Sequence, residues 1–90
     1  MDVYIVQYHC CDGDFEEFDV VGVYADKDKA RRSMREHMKK VRVRNTEYYG
    51  DRFHEDFEVD WPDMIQFGFY AKGFELDHVW TCSIETAGLE

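Results

Sequence analysis

The most reactive side chains of the chain stand in succession near its start, at His9, Cys10 and Cys11. A thiol beside an imidazole is the pairing that cysteine nucleophiles use. Negative charge nearby disfavours the thiolate that such chemistry requires. Four carboxylates follow closely along the chain: Asp12, Asp14, Glu16 and Glu17. The sequence therefore predicts no catalytic cysteine, and we expect a protein that is not an enzyme.

Groups that could bind a metal are present, but their spacing matches no familiar motif. The three cysteines include an adjacent pair and no Cys-x-x-Cys. In a strand, His78 and Cys82 would lie about 13 Å apart, too far to share an ion. The acidic residues after Cys11 resemble the start of a calcium loop, but Glu17 replaces its required glycine. We predict three free thiols, no disulfide, no bound metal and no cofactor.

Carboxylates outnumber basic groups by 20 to 11, which gives the chain a net charge of −9. They are dense in two windows, 12–19 and 55–63, and both windows also contain aromatic residues. A deep pocket that could tune a pair of them for acid-base catalysis is not expected in so short a chain. We predict that both windows bind a basic surface of another protein. The predicted contact residues are Asp12, Asp14, Phe15, Glu16, Glu17, Glu55, Asp56, Phe57, Glu58, Asp60 and Trp61.

Such a layout is similar to that of small phage-encoded inhibitors, which imitate the phosphate backbone and occupy a nucleic-acid-binding groove. Fixed carboxylates would release counterions from the target as DNA does, so association would be fast and sensitive to salt. A simpler interpretation also stays open. In that interpretation the acidic residues only keep a purely structural domain in solution.

Segment 27–44 has the opposite charge. It holds nine basic and two acidic residues, net +7, whereas the rest of the chain carries a net charge of −16. A second hypothesis is that this segment binds the phosphates of RNA or DNA. Its predicted contact residues are Arg31, Arg32, Arg35, Lys39 and Arg42. The surrounding carboxylates would repel a polyanion, so nucleic acid is the less favoured partner. The same basic groups are also suited to pair with carboxylates within the molecule or, in a homodimer, between subunits.

The same segment is predicted to be the helix around which the domain is built. Its apolar residues recur at helical spacing: Ala30, Met34, Met38 and Val41. Asp26 is a suitable N-cap, and Asn45 is a plausible stop. The basic residues near position 44 would complement the negative end of the helix dipole. We expect the apolar stripe to be buried against a sheet.

Strand patterns lie on both sides of the predicted helix. Residues 2–9 and 18–24 are separated by a short Gly-containing loop, which predicts an antiparallel pair with a bulge or a close approach at Gly22. After the helix, 64–71 and 74–84 alternate with a period of two and turn at 72–73. A short strand at 57–59 is also expected, ending before Pro62. The predicted fold is α+β: an antiparallel sheet of four to five strands, ordered β-β-α-β-β, with one helix packed on one face.

The junction VVGVYADKDKA resembles one found in small uncharacterised bacterial and phage proteins. In these proteins a strand ending in Gly-Val-Tyr or Gly-Val-Phe is followed by a capping residue and a helix that contains alanine. The resemblance covers roughly residues 3 to 40 and implies no activity.

The length of 90 residues predicts one domain spanning the whole chain, 1–90. The chain has no apolar run long enough to cross a bilayer and no basic, apolar start typical of a signal peptide. We therefore expect a cytoplasmic protein that does not bind membranes.

Overall fold

The structure is a computed structural model that describes residues 1–12, 15–50, 55, 57–70 and 77–88. Within these ranges, two strands precede the helix and three follow it. The elements are β1 (Asp2–Asp12), β2 (Phe15–Tyr24), α1 (Lys27–Tyr49), β3 (Phe57–Trp61), β4 (Met64–Tyr70) and β5 (Asp77–Gly88). The α+β class is confirmed, and the order is β-β-α-β-β-β with five strands.

The strands form one antiparallel sheet in the order β2-β1-β5-β4-β3. The last strand, β5, is therefore central and pairs with β1 from Asp2↔Gly88 to Asp12↔His78. Its other side pairs with β4. The edge strands of the sheet are β2 and β3. They are four strand spacings apart, which corresponds to about 19 Å because neighbouring strands are spaced by about 4.8 Å.

The predicted helix stripe is buried as expected, with Ala30, Met34, Met38 and Val41 all at or below 2% exposed. These side chains share one core cluster with alternate residues of the strands. The strand members are Val6, Tyr8, Cys10, Ile65, Phe67, Trp80 and Cys82. Partly buried side chains pack against this cluster: Tyr4, Val21, Tyr24, Tyr49 and Ile84. Burial of this stripe is the main force that orders the helix.

The helix begins as predicted and ends later than predicted. The Asp26 side chain accepts hydrogen bonds from the backbone N–H groups of Asp28 at 2.8 Å and Lys29 at 3.4 Å. Asn45 does not stop the helix; it is buried within it, and the helix continues to Tyr49. Gly50, with φ of 59°, forms the cap in a conformation that favours glycine. The last turn therefore lacks the basic residues that the sequence predicted for it.

Several strand boundaries also differ from the sequence prediction. β1 and β2 extend into the region expected to be a loop, so Asp12 pairs with Phe15. The register shifts between Val6 and Gln7, which pair with Gly22 and Val20, so the bulge lies beside Gly22. β3 continues to Trp61, and β5 runs to Gly88, beyond the predicted end at residue 84. The predicted turn at 72–73 lies outside the described residues.

The three cysteines, all in the described part of the chain, carry thiols and form no disulfide. In the part of the chain that the structure describes, no helix is long and apolar enough to cross a membrane.

Candidate partner-binding surface

The first acidic window lies at the free edge of the sheet, on β2. Phe15 and Phe18 are 60% and 67% exposed, although aromatic side chains of this size are usually buried. Glu16, Glu17 and Asp19 are exposed beside them. Asp12 ends β1 opposite Phe15, and Asp14 lies outside the described residues. This stretch combines carboxylates with apolar groups in contact with solvent.

The exposed apolar surface continues along β2 beyond the first window. Val20 and Val23 are 55% and 57% exposed. They pair with Gln7 and Ile5 on β1, so their side chains leave the sheet on the same side as those two. Phe18 shares this side, since it pairs with His9 and its ring centroid lies 5.3 Å from the imidazole.

The second acidic window lies at the opposite edge and faces the helix. Asp63 contacts two basic side chains, Arg31 Nε at 3.1 Å and Lys27 Nζ at 3.4 Å. Desolvation acts to raise the pKa of Asp63, but the hydrogen bonds and charges of these two groups outweigh it and hold that pKa below its ordinary value. Asp60 forms an ion pair with Arg35 at 3.4 Å.

Arg42 contacts two carboxylates and an aromatic ring. Its Nε donates to Glu55 at 2.7 Å and its Nη2 donates to Glu58 at 2.8 Å. Its guanidinium carbon also lies 4.4 Å from the centroid of the Phe67 ring. Partial burial alone would lower the pKa of Arg42, but the two carboxylates raise it. These contacts attach the helix to β3 and β4.

The basic helix and the second acidic window therefore partly neutralise each other's charge. Of the five helix residues predicted to contact nucleic acid, Arg31, Arg35 and Arg42 pair with carboxylates from Glu55 to Asp63. Arg32 and Lys39 are exposed. In the second window Trp61 is 61% exposed, Phe57 is half-buried, and Asp56 lies outside the described residues.

A shallow depression on the outer side of the helix is lined by Lys39, Lys40, Val43, Arg44 and Glu47. It lies over the part of the helix that carries three unburied basic side chains. Arg44 also donates to the Tyr8 hydroxyl at 3.4 Å, which ties that end of the depression to the sheet.

Sequence reasoning missed one group of side chains that could bind a metal. His9, Cys11 and Glu16 place one imidazole nitrogen, one sulfur and one carboxylate oxygen within 4.8 Å of one another. The signal was the spacing His-x-Cys in a strand, since residues two apart project from the same face. Cys10, between them, is buried in the core.

Comparison with known families places most of these elements in one module. A family model described as a domain of unknown function, DUF7336, matches residues 1–65. The chain belongs to this family. The expected relationship to an uncharacterised family is confirmed, and it extends beyond the segment 3 to 40. No curated protein and no solved structure matches the chain.

The DUF7336 match includes β1, β2, α1 and β3 and ends at the second residue of β4. It therefore contains both acidic windows and the basic helix. The central strand β5 follows the matched region, yet it supplies Trp80 and Cys82 to the core. The DUF7336 region thus depends on β5 to join its two halves into one sheet.

Proposed function

We propose that this protein is a non-enzymatic binding module that recognises another protein through the edge strand β2. The observation that carries the proposal is the exposure of Phe15 and Phe18 beside carboxylates on a strand with one unpaired side. The second acidic window is assigned a structural role, because its described carboxylates pair with the helix. The binding surface is therefore smaller than the one expected from the sequence.

The fold supports this proposal through the position of the helix. We infer that α1 covers one face of the sheet, where Val6, Tyr8 and Cys10 meet the helix stripe in the core. The other face and the outer edge of β2 then remain accessible. An edge strand presents unpaired N–H and C=O groups, to which an extended segment of a partner can add as a further strand. The bulge beside Gly22 interrupts this edge, so residues 15–20 form its regular part.

Charge defines the kind of partner. The edge carries Glu16, Glu17 and Asp19 on a chain of net charge −9, so a segment rich in Lys and Arg would be attracted over a distance. Phe15 and Phe18 would provide the buried apolar contact that slows dissociation. A basic nucleic-acid-binding groove on another protein presents such chemistry, and an inhibitor that occupies it is the narrower form of the proposal.

The test uses a defined probe. A synthetic peptide in which Lys alternates with Val is titrated into the isotope-labelled protein, and the same peptide with Glu in place of Lys is the control. We expect the backbone amide signals of residues 15–20 to shift with the Lys peptide, and the affinity to fall as salt is raised. Reversing Glu17 and Asp19 to Lys should abolish this binding.

The matched control replaces Arg32 and Lys39, on the exposed side of the helix, with Glu. Like the β2 variant, it reverses the charge of two side chains. This variant should bind the Lys peptide at least as well as the unmodified protein. Shifts confined to the helix, or binding that survives the β2 reversals, would show that the edge is not the site.

Nucleic-acid binding by the helix is the second candidate function. It is favoured by the depression lined by Lys39, Lys40 and Arg44. A nuclease-treated pull-down distinguishes the two candidates, because binding through the helix would be lost with the nucleic acid. The net charge of −9 makes this the weaker candidate.

A further inference from the structure

His9, Cys11 and Glu16 meet on the sheet face opposite the core. His9 and Cys11 are two apart on β1, and Glu16 is the β2 residue paired with Cys11. The His9 Nε2 atom lies 2.7 Å from Glu16 Oε1 and 3.5 Å from Cys11 Sγ. Two different groups therefore converge on one imidazole nitrogen.

In hydrogen bonding, Glu16 and Cys11 have to share a single nitrogen of His9. An imidazole nitrogen carries either one proton or one lone pair. If Nε2 donates its proton to Glu16, it has no lone pair left to accept the Cys11 S–H. If Nε2 instead accepts from Cys11, it faces the carboxylate oxygen as a second acceptor. The carboxylate and the thiol thus compete for one nitrogen, whereas a cation placed among the three atoms would be coordinated by all of them.

The separation of the sulfur and nitrogen atoms is close to that in a tetrahedral zinc site. Zinc binds nitrogen at about 2.0–2.1 Å and sulfur at about 2.3 Å, so the two ligand atoms lie about 3.6 Å apart. The separation of Cys11 Sγ and His9 Nε2 is 3.5 Å. The nitrogen and oxygen ligands would lie about 3.4 Å apart. Glu16 Oε1 therefore has to withdraw by about 0.7 Å, and its side chain, 71% exposed, is free of the packing that would prevent this.

We propose that His9, Cys11 and Glu16 form a site for a divalent transition metal of the zinc type. Sulfur and imidazole ligands favour Zn²⁺ and Co²⁺ over Mg²⁺ and Ca²⁺, which prefer oxygen. Binding replaces the proton on the Cys11 sulfur, and that proton passes to solvent. The neighbouring Phe18 ring, 5.3 Å from the His9 ring, restricts the imidazole on one side.

The three protein ligands leave a fourth position, which water or a group from a partner would occupy. This site does not depend on the proposed binding at β2, because the β2 test changes Glu17 and Asp19 and leaves all three ligands intact. A bound cation would also link β1 to the edge strand β2 through side chains, in addition to the backbone hydrogen bonds between the two strands.

The experiment uses the full chain, reduced and freed of metal with a chelator. Titration with Co²⁺ should produce a thiolate-to-metal charge-transfer band that reaches its maximum at one equivalent of Co²⁺. Addition of Zn²⁺ should displace Co²⁺ and remove the band, whereas addition of Mg²⁺ or Ca²⁺ should leave it unchanged. Cys11→Ser should abolish the band. Glu16→Gln should weaken Zn²⁺ binding, measured by calorimetry, by about tenfold or more.

The control is Cys10→Ala, which removes the neighbouring thiol from the other side of the sheet. This variant should keep the band and the Zn²⁺ affinity. Glu16→Gln changes an exposed side chain, so its fold should be intact by circular dichroism. Absence of the band in the unmodified protein, or a Zn²⁺ affinity unchanged in both Cys11→Ser and Glu16→Gln, would overturn the proposal.

Discussion

Replacement of Arg42 tests whether the basic helix is held by the protein's own carboxylates. We expect Arg42→Met to destabilise the fold, because it removes the contacts to Glu55 and Glu58 and the guanidinium over Phe67. Methionine keeps an apolar chain over the ring, so the packing of the stem is largely preserved.

The size of the effect follows from the three contacts. The Arg42 side chain is 34% exposed and its partners are 31% and 49% exposed, so solvent weakens both ion pairs. Exposed pairs of this kind contribute about 0.2–1 kcal/mol each. A cation over an aromatic ring adds about 0.5–1 kcal/mol at an exposed site. The free energy of unfolding should therefore fall by about 1–3 kcal/mol.

The assay is urea unfolding followed by far-UV circular dichroism, with thermal unfolding as a second measurement. In a domain of this size, each kcal/mol corresponds to about 4–8 °C in the thermal midpoint. Lys39→Met is the matched control, since it removes one positive charge from an exposed position of the same helix. If Arg42→Met is no less stable than Lys39→Met, the assignment of Arg42 to a structural role is wrong.

Three further outcomes are expected. Met34→Ala should lower the free energy of unfolding by about 2–5 kcal/mol and Met34→Asp by more, because the side chain is fully buried; unfolding curves measure both. In the metal-free folded protein a maleimide should label Cys11 but leave Cys10 and Cys82 unlabelled until denaturant is added, since both are buried and burial raises the pKa of Cys82 to about 12; mass spectrometry counts the adducts. Burial lowers the pKa of His37, so the unfolded chain takes up a proton first and stability should fall as the pH drops below about 6.5. His37→Gln should show a smaller fall in the same urea titration.

The helix was the most predictable element, because its pattern is local. The spacing of Ala30, Met34, Met38 and Val41 identified its buried side, and Asp26 identified its start. Its end was not predictable in the same way. Residues after Asn45 remain helical while Tyr49 packs on the core and its ring lies 6.3 Å from that of Trp80. Such a contact joins residues that are distant in the sequence, so it cannot be predicted from the local composition.

The order of the strands was also beyond local patterns. The period of two in 74–84 identified β5, but nothing in that pattern places β5 between β1 and β4. This order decides the site, because it sends the two acidic windows to opposite edges. The sequence prediction treated them as one kind of surface, whereas the described carboxylates of the second window, among them Glu58 and Asp60, form ion pairs with the helix.

The cluster of His9, Cys11 and Glu16 was missed for a different reason. Cysteine and histidine were sought at the short spacings of zinc motifs, whereas this group uses the two-residue period of β1 and a residue from the paired strand. Cys10 and Cys11 are adjacent in sequence and lie on opposite sides of the sheet, one in the core and one near His9.

The central position of β5 has a consequence for how the protein is made. Asp2 pairs with Gly88, so β1 leaves the ribosome well before the strand that pairs with its inner side. Synthesis proceeds at about 5–20 residues per second, so β1 spends several seconds without that neighbour. Contacts between such distant residues also slow folding after release. During this interval the β1–β2 hairpin has two open edges, and a chaperone that shields nascent strands would find its binding site there.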